Sequence, residues 1–406
     1  MSLRRNPLHC IVPPHILIAM AQADDPDTRE WAMHSLLLSA RFRGQREILG
    51  PMAAAMATAT GVKHRSIYDA NHMQRQPPAG RLVRDENGAA TSDPTVNEAY
   101  EGLGATYDLY HNEFNRNSID NHGMRLDGYV HFGNRYDNAF WDGKEMVFGD
   151  GDGVVFDRFT KSIDVIGHEL THGVTENEAG LEYQDQPGAL NESMSDVFGS
   201  LVKQYMLEQD ASQADWLIGA GLFMPGVKGK ALRSMKAPGT AFNDPRLGGK
   251  DPQPGHMNDY VQTDDDNGGV HLNSGIPNHA FYLAATKIGG YAWKDPGQIW
   301  YTALRRLHPQ TDFQEAANMT FQVAGELYGS ASAQQQAVHD AWAQVGIEIA
   351  VSTAGRAVSR AGANGGTGQL EGRLKKAVED AARKFGEDLA KRLADEFSRT
   401  PAKSRR

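Results

Sequence analysis

Three observations predict an α+β chain of two lobes, β-rich in its N-terminal half and helical in its C-terminal half. At 406 residues the chain exceeds what one small core organises, so two lobes with accessory segments is the natural division. Between residues 63 and 160, short strand-like pieces (DGYVHF, NAFWDG, EMVFGD and GVVFDRF) alternate with the glycine and charged clusters that mark turns. From 161 to about 347 apolar residues recur at helical spacing, notably over 282–288, 299–307, 312–328 and 333–345. A Gly/Pro/Asp-rich loop near 236–269 interrupts that run.

Residues 1–50 read as a unit of their own. Pro13-Pro14 precedes helical spacing at Ile16, Leu17, Ile18 and Met20, and 31–43 is a second helix candidate. Residues 51–62, PMAAAMATATGV, are small and featureless and read as a linker. The N-terminal lobe is then placed at 63–175 and the helical lobe at 176–349. Residues 350–369 have the Gly-, Ala- and Ser-rich composition of a flexible linker. Over 370–398, Leu370, Leu374, Val378, Ala381, Phe385, Leu389, Leu393 and Phe397 repeat every three or four positions, predicting an amphipathic helix. Its outer face mixes acids with bases, which favours docking on the body or on another chain over a membrane surface.

Composition removes several function classes. The net charge of −10 argues against a nucleic-acid surface, which needs clustered Lys and Arg. Cys10 is the only cysteine, so the chain forms no internal disulfide and no cysteine-type zinc site. No apolar run approaches the ~20 residues that a bilayer requires. The first 25 residues combine basic residues with a short apolar patch, but Pro13-Pro14 and His15 break it, which makes a poor Sec signal.

The chemistry is concentrated in IDVIGHELTHGVTENEAGLEYQDQPGALNESMSD, residues 163–196. His168 and His172 are four apart, so on a helix both imidazoles share one face and converge on one ion. Glu169 does not share that face and is read as the general base. Glu192 lies in a second helix-like run, with Asp196 four residues on, so those carboxylates share a face as well. His168, His172 and Glu192 leave the fourth position of a tetrahedral zinc open to water, the pattern of a catalytic site. Asp196 and the neighbouring Asn191 are read as partners that fix the ligand imidazoles from behind. Taken alone, His-Glu-x-x-His describes two helix-surface histidines as well as a metal site. The second cluster decides between them.

With those residues in hand, the chain resembles the thermolysin-like neutral metalloproteases over roughly residues 63–349, and within them the protealysin-like group with its short prosegment. The group's Pro-Pro-Tyr motif corresponds to Ile11-Val12-Pro13-Pro14-His15-Ile16-Leu17, with His15 where tyrosine is usual. The resemblance implies a zinc endopeptidase with its metal site in a cleft between the two lobes, made as a zymogen and inhibited by its own prosegment. It implies that His271, oriented by Asp266 within DNGGVHLNSG, stabilises the oxyanion, and that Tyr183 is a second donor. It implies that Arg233 binds a substrate carbonyl and that Asn138 and Ala139 pair with an extended peptide. Val165, Ile218 and Leu232 would form the pocket for a large apolar residue after the cut. Without it, Arg233 reads as surface charge, Tyr183 as a half-buried aromatic and the three apolar residues as plain core.

The chain departs from the family at the paired calcium site. Asp164 and Asp215 match two ligands, but Lys203, Leu217 and Ala220 replace three others, so the double site is expected to be absent and the lysine to supply the positive charge. Asp150 and Asp152 in GDGDG read as a turn, with a weak cation site as the alternative. The expected partners are peptide or protein substrates, and the expected state is a monomer. The family works outside the cell, so export by a non-Sec route is expected, with a cytoplasmic enzyme as the alternative. A zinc aminopeptidase shares His-Glu-x-x-His and a distant Glu, but no acidic amine-binding motif is found. An inactive zinc-binding protein would not be expected to retain Glu169, Tyr183 and His271 together. Cys10 is read as a small buried thiol; the sharper alternative is a thiolate latch on the open zinc position.

Overall fold

In the computed structural model, which describes residues 9–55, 61–74 and 80–350, a six-stranded sheet leads into an assembly of helices. The chain opens with a two-residue strand β1 (His9–Cys10), then α1 (Pro14–Met20) and α2 (Pro26–Ala55). There follow β2 (Arg65–Asp69), β3 (Arg81–Asp85), α3 (Pro94–Phe114), β4 (Leu126–Val130), β5 (Ala139–Trp141) and β6 (Glu145–Phe148). The sheet runs in the order β1-β5-β6-β4-β2-β3. β4 pairs parallel with both β2 and β6, and the other pairs are antiparallel. β1 lies antiparallel to β5, with Cys10 opposite Phe140.

The helical part holds α4 (Ile163–Asn177) and α5 (Asp185–Met206), then two short strands, β7 (Leu217–Ile218) and β8 (Arg233–Ser234). It continues with α6 (Asp266–Asn273), α7 (Gly275–Ile288), α8 (Asp295–Leu304), α9 (Phe313–Tyr328) and α10 (Ala333–Gln344). Local chemistry sets several ends. Asp93 accepts from Thr95 N ahead of Pro94, which starts α3, and Asn115 closes that helix in the left-handed region (φ 51°). Asp312 and Glu315 form a reciprocal capping box at the start of α9.

α4 is buried on every side, from Asp164 to Thr175. It can approach α5 so closely because two glycines meet there. A Cβ on Gly199 would stand 2.4 Å from Asp164 O, and one on Gly167 3.0 Å from Gly199 Cα. That approach sets the histidine face of α4 against the carboxylate face of α5.

Several expectations change. Among the described residues up to Ile349, contacts make one compact unit, and β1, from the segment read as separate, is a strand of the main sheet. Ile16, Leu17, Met20, Leu38 and Phe42 are buried, because an amphipathic pair of helices this short must spend its apolar face on a larger body. The expected linker 51–62 begins inside α2, which extends to Ala55, since Ala and Met are good helix formers. GVVFDRF is not a strand. Asp152 Oδ1 accepts from the amides of Val154, Val155 and Phe156 and curls the segment into a turn, leaving one isolated bridge, Phe156 to Phe223. Residues 350–369 and 370–398 lie outside the described residues, apart from Ala350.

Candidate active site

His168 and His172 project from α4 with their Nε2 atoms 3.0 Å apart, and each lies 3.5 Å from an oxygen of Glu192 on α5. All three residues are buried, and their ligand atoms fall within 4.8 Å of one another. Among the described residues this is the group able to hold a metal ion, and Cys10 is not a member of it. The partners behind the rings assign the tautomers. His168 Nδ1 faces Asp196 Oδ1 at 2.8 Å and His172 Nδ1 faces Asn191 Oδ1 at 2.8 Å, with Ser195 Oγ at 3.0 Å from the same nitrogen. Nδ1 therefore carries the proton on each ring, and two Nε2 lone pairs face each other. Glu192 Oε2 is buried without a hydrogen-bond donor. Lone pairs so close, beside an unsatisfied carboxylate oxygen, fit a cation, and two imidazoles with one carboxylate fit zinc.

Asp196 holds the site from behind. Burial alone would raise its pKa, but Arg233 and His168 keep the carboxyl well below the ordinary range. Arg233 donates from Nε to Oδ2 and from Nη2 to Oδ1, both at 2.8 Å, and Asn278 Nδ2 donates to Oδ2 at 2.8 Å. Glu169 is fully buried beside its neighbouring ligand, with Oε2 accepting from Trp141 N at 3.2 Å.

Across the site stand two further donors. Asp266 Oδ1 lies 2.7 Å from His271 Nδ1, and its Oδ2 accepts from His271 N at 3.0 Å. This is possible because residues 266–269 turn through the left-handed region, where a Cβ on Gly268 (φ +82°) would meet Asp185 Oδ1 at 2.1 Å. Burial would lower the His271 pKa, but the Asp266 carboxylate, followed by the Glu192 charge, overrides it and lifts it to about 9. Tyr183 Oη donates to Glu192 Oε1 and lies 3.3 Å from His271 Nε2. Burial and the Glu192 charge push its phenol well above its usual value, so it keeps its proton.

The chain's own N-terminal segment lies across these groups. His271 Nε2 is 3.2 Å from Cys10 O, Ile11 N donates to Ala139 O at 3.4 Å, Arg233 Nη1 donates to Ile11 O at 3.0 Å, and Val12 N donates to Asn138 Oδ1 at 3.1 Å. Ile11 is buried in the same apolar cluster as Val165, Ile218 and Leu232. At the matched calcium positions, Lys203 Nζ sits 2.7 Å from Asp164 Oδ2, 2.9 Å from Asp215 Oδ1 and 2.6 Å from Leu217 O. Asp150 pairs with His131 at 2.9 Å, and Asp152 caps its turn.

The structure brings His168, His172, Glu192, Asn191, Asp196, Tyr183, Arg233, Asp266 and His271 together, sets Asn138 and Ala139 against the N-terminal segment beside them, and joins Asp164 and Asp215 through Lys203. Sequence reasoning missed Ser195 and Asn278, which bear on His172 and Asp196, and Gln253, which donates from Nε2 to His271 O at 2.7 Å. Ser195 had a signal, its place one residue before Asp196 on α5; Asn278 and Gln253 had none.

Comparison with known proteins agrees with this geometry. Two family descriptions match consecutive parts of the chain: "Thermolysin metallopeptidase, catalytic domain" at residues 53–176, and "Thermolysin metallopeptidase, alpha-helical domain" at 179–347. An extracellular metalloprotease of Pectobacterium carotovorum is 49% identical over 355 residues, 86% of this chain and 99% of the relative. Protease PrtS of a Photorhabdus strain is 52% identical over 290 residues, 70% of this chain and 77% of the relative. The solved precursor of protealysin from Serratia proteamaculans superposes with a TM-score of 0.76 at 50% identity, covering 84% of this chain and 99% of that one. The chain belongs to the thermolysin metallopeptidase family and is a metalloendopeptidase.

Proposed function

We propose that this chain is the zymogen of a zinc endopeptidase that cuts before large apolar residues and is held latent by its own N-terminal segment. The observation that carries the reading is the convergence of His168, His172 and Glu192 with Tyr183 and His271 around one buried point, with the buried Glu169 next to His168 in the chain. Zinc held by the three ligands supplies Lewis acidity to a water molecule and to the scissile carbonyl. Glu169 takes the proton of the attacking water and passes it to the leaving amine. His271, protonated and anchored by Asp266, and Tyr183 donate to the oxygen that becomes negative. Arg233 and Asn138 fix the backbone of the residues after the cut, while Ala139 on β5, an edge strand once β1 is removed, extends the sheet into the peptide. Val165, Ile218 and Leu232, all buried and apolar, favour an apolar side chain there.

Lys203 stands among Asp164, Asp215 and Leu217 O, so we read its ammonium as the replacement for the calcium pair. The relatives named extracellular support export of this protein. Among the described residues no helix is long and apolar enough to cross a membrane. Intact-mass analysis of culture supernatant and cells reports both location and mature N-terminus, and light scattering tests the expected monomer.

The deciding experiment is Glu169→Gln in protein freed of its N-terminal segment. Zinc content should stay at one ion, because Glu169 is not a ligand, while cleavage of a reporter peptide falls about 10²–10⁴-fold. Wild-type turnover in the zinc-loaded variant would refute the assignment.

A further inference from the structure

The N-terminal segment crosses the cleft in a definite direction and register. From the Cys10 carbonyl to the Val12 amide, four successive backbone polar groups meet groups that, on the reading above, handle a substrate. The Cys10 carbonyl faces His271, the donor assigned to the scissile oxygen, at 3.2 Å. The next amide, Ile11 N, reaches Ala139 O at 3.4 Å, and the next carbonyl, Ile11 O, accepts from Arg233 at 3.0 Å. Val12 N then reaches Asn138 Oδ1 at 3.1 Å. Ile11 itself is fully buried, in the large apolar core that also contains the residues assigned to the pocket after the cut. A segment that merely filled the cleft would have no need of this order. Reversed or slipped by one residue, it would exchange the carbonyl that meets His271 for an amide or move the buried Ile11 away from the pocket.

We propose that the Cys10–Ile11 peptide bond is itself a substrate bond, which the zinc-loaded zymogen hydrolyses within its own cleft. This rests on the endopeptidase reading. Water adds across the amide: the hydroxyl goes to the Cys10 carbonyl carbon, which becomes a carboxylate, and the Ile11 nitrogen leaves with the proton as an amine. No oxidant or further reactant is needed.

The cut does not release the enzyme. Residues beyond Ile11 remain anchored by the buried side chains of Ile16, Leu17, Met20, Leu38 and Phe42. Ser39 Oγ stays 2.8 Å from Tyr136 Oη, and Ser35 Oγ still accepts from Asp137 N at 3.1 Å. The product is a nicked but latent protein, in which the new Ile11 amine lies beside Ala139 O. Activation requires a second event that frees α1 and α2.

The test follows full-length, zinc-loaded protein by intact mass and N-terminal labelling under denaturing conditions. The expected result is a new N-terminus at Ile11, with a first-order rate that does not change on dilution, no accompanying gain in reporter-peptide activity, and no nick in Glu169→Gln. Ile11→Leu should keep the nick, and Ile11→Gly should slow it roughly tenfold or more through loss of pocket contacts. In parallel, the same preparation is freed of its N-terminal segment by an added protease and assayed on the reporter. An intact Cys10–Ile11 bond alongside an active freed enzyme overturns this inference and leaves the endopeptidase reading standing. Cleavage only at other bonds, or at a rate that rises with concentration, also overturns it. Failure of both the nick and the freed enzyme removes the underlying reading as well.

Discussion

Lys203→Met is expected to lower the melting temperature by roughly 4–7 °C, in a Glu169→Gln background that prevents self-digestion. Lys203 is only 8% exposed, and among the described residues its ammonium is the one donor to Asp164 Oδ2. Asp164 is fully buried; without the lysine it keeps Ser162 Oγ at 2.7 Å and Gly219 N at 3.2 Å, both on Oδ1. Breaking a buried pair from one side costs about 3–5 kcal/mol, because a charge is left without compensation. Asp215 is largely exposed and adds little. An unfolding entropy of about 2.1 cal/mol/K per residue, over the unit ending at Ile349, converts that cost into the stated shift. Calorimetry of the two proteins measures it. Adding Asp164→Asn to Lys203→Met should recover most of the loss, since it removes the orphaned charge rather than a favourable contact. An unchanged melting temperature in the single variant, or a double variant no better than the single, refutes the argument.

Three further outcomes are expected. A calcium-selective chelator, with zinc kept saturating, should leave the parent melting temperature unchanged; a large fall would contradict the role given to Lys203. Arg233→Lys in the freed enzyme should keep zinc but lower kcat/KM about 10–100-fold, the equivalent of one lost charged hydrogen bond, in peptide-hydrolysis assays. His15 should make docking of the N-terminal segment sensitive to acid. Burial, followed by the charge of His271, drops its pKa from 6.5 to about 4, with Arg233 acting in the same sense, Asp266 opposing, and Lys250 at the edge of the same cavity. Docking is fully retained above pH 6.5, and it weakens as the pH falls from there toward 4, because the undocked segment takes up a proton that the docked one refuses. Susceptibility of residues 51–62 to added protease should rise over that window and respond less in His15→Phe; identical profiles would count against it.

What the sequence made legible follows from the reach of each signal. The metal ligands were readable because the chemistry requires a four-residue spacing on one helix, and Glu192 with Asp196 repeats that spacing on another. Tyr183, Arg233, His271 and Asp266 come from a turn before α5, from β8 and from the two ends of α6. No local period joins those segments, so only the family resemblance placed them. Asn278 and Gln253 escaped both routes. Gln253 belongs to the long loop between β8 and α6, and Asn278 shows nothing along α7 to mark it as a neighbour of Asp196. The same limit explains the errors in the fold. Two residues of β1 are too few to show a period, and an alanine-rich stretch looks equally featureless in a linker and in the end of α2.

On the proposed function, the position of Arg233 ties recognition of the peptide to the geometry of the residues that would hold the metal. A continuous path runs from Ile11 O to Arg233 Nη1 at 3.0 Å, from Arg233 Nη2 to Asp196 Oδ1 at 2.8 Å, and from that oxygen to His168 Nδ1 at 2.8 Å. Arg233 is buried, so removal of Ile11 exposes a guanidinium nitrogen that needs a new acceptor. Water meets that need incompletely, whereas the carbonyl of a bound peptide replaces what was lost. The residue after the cut thus does two things at once: it satisfies Arg233 and it steadies the carboxylate that orients His168. A substrate lacking that carbonyl in the right place forfeits both effects, which is why its loss should appear in kcat as well as in KM.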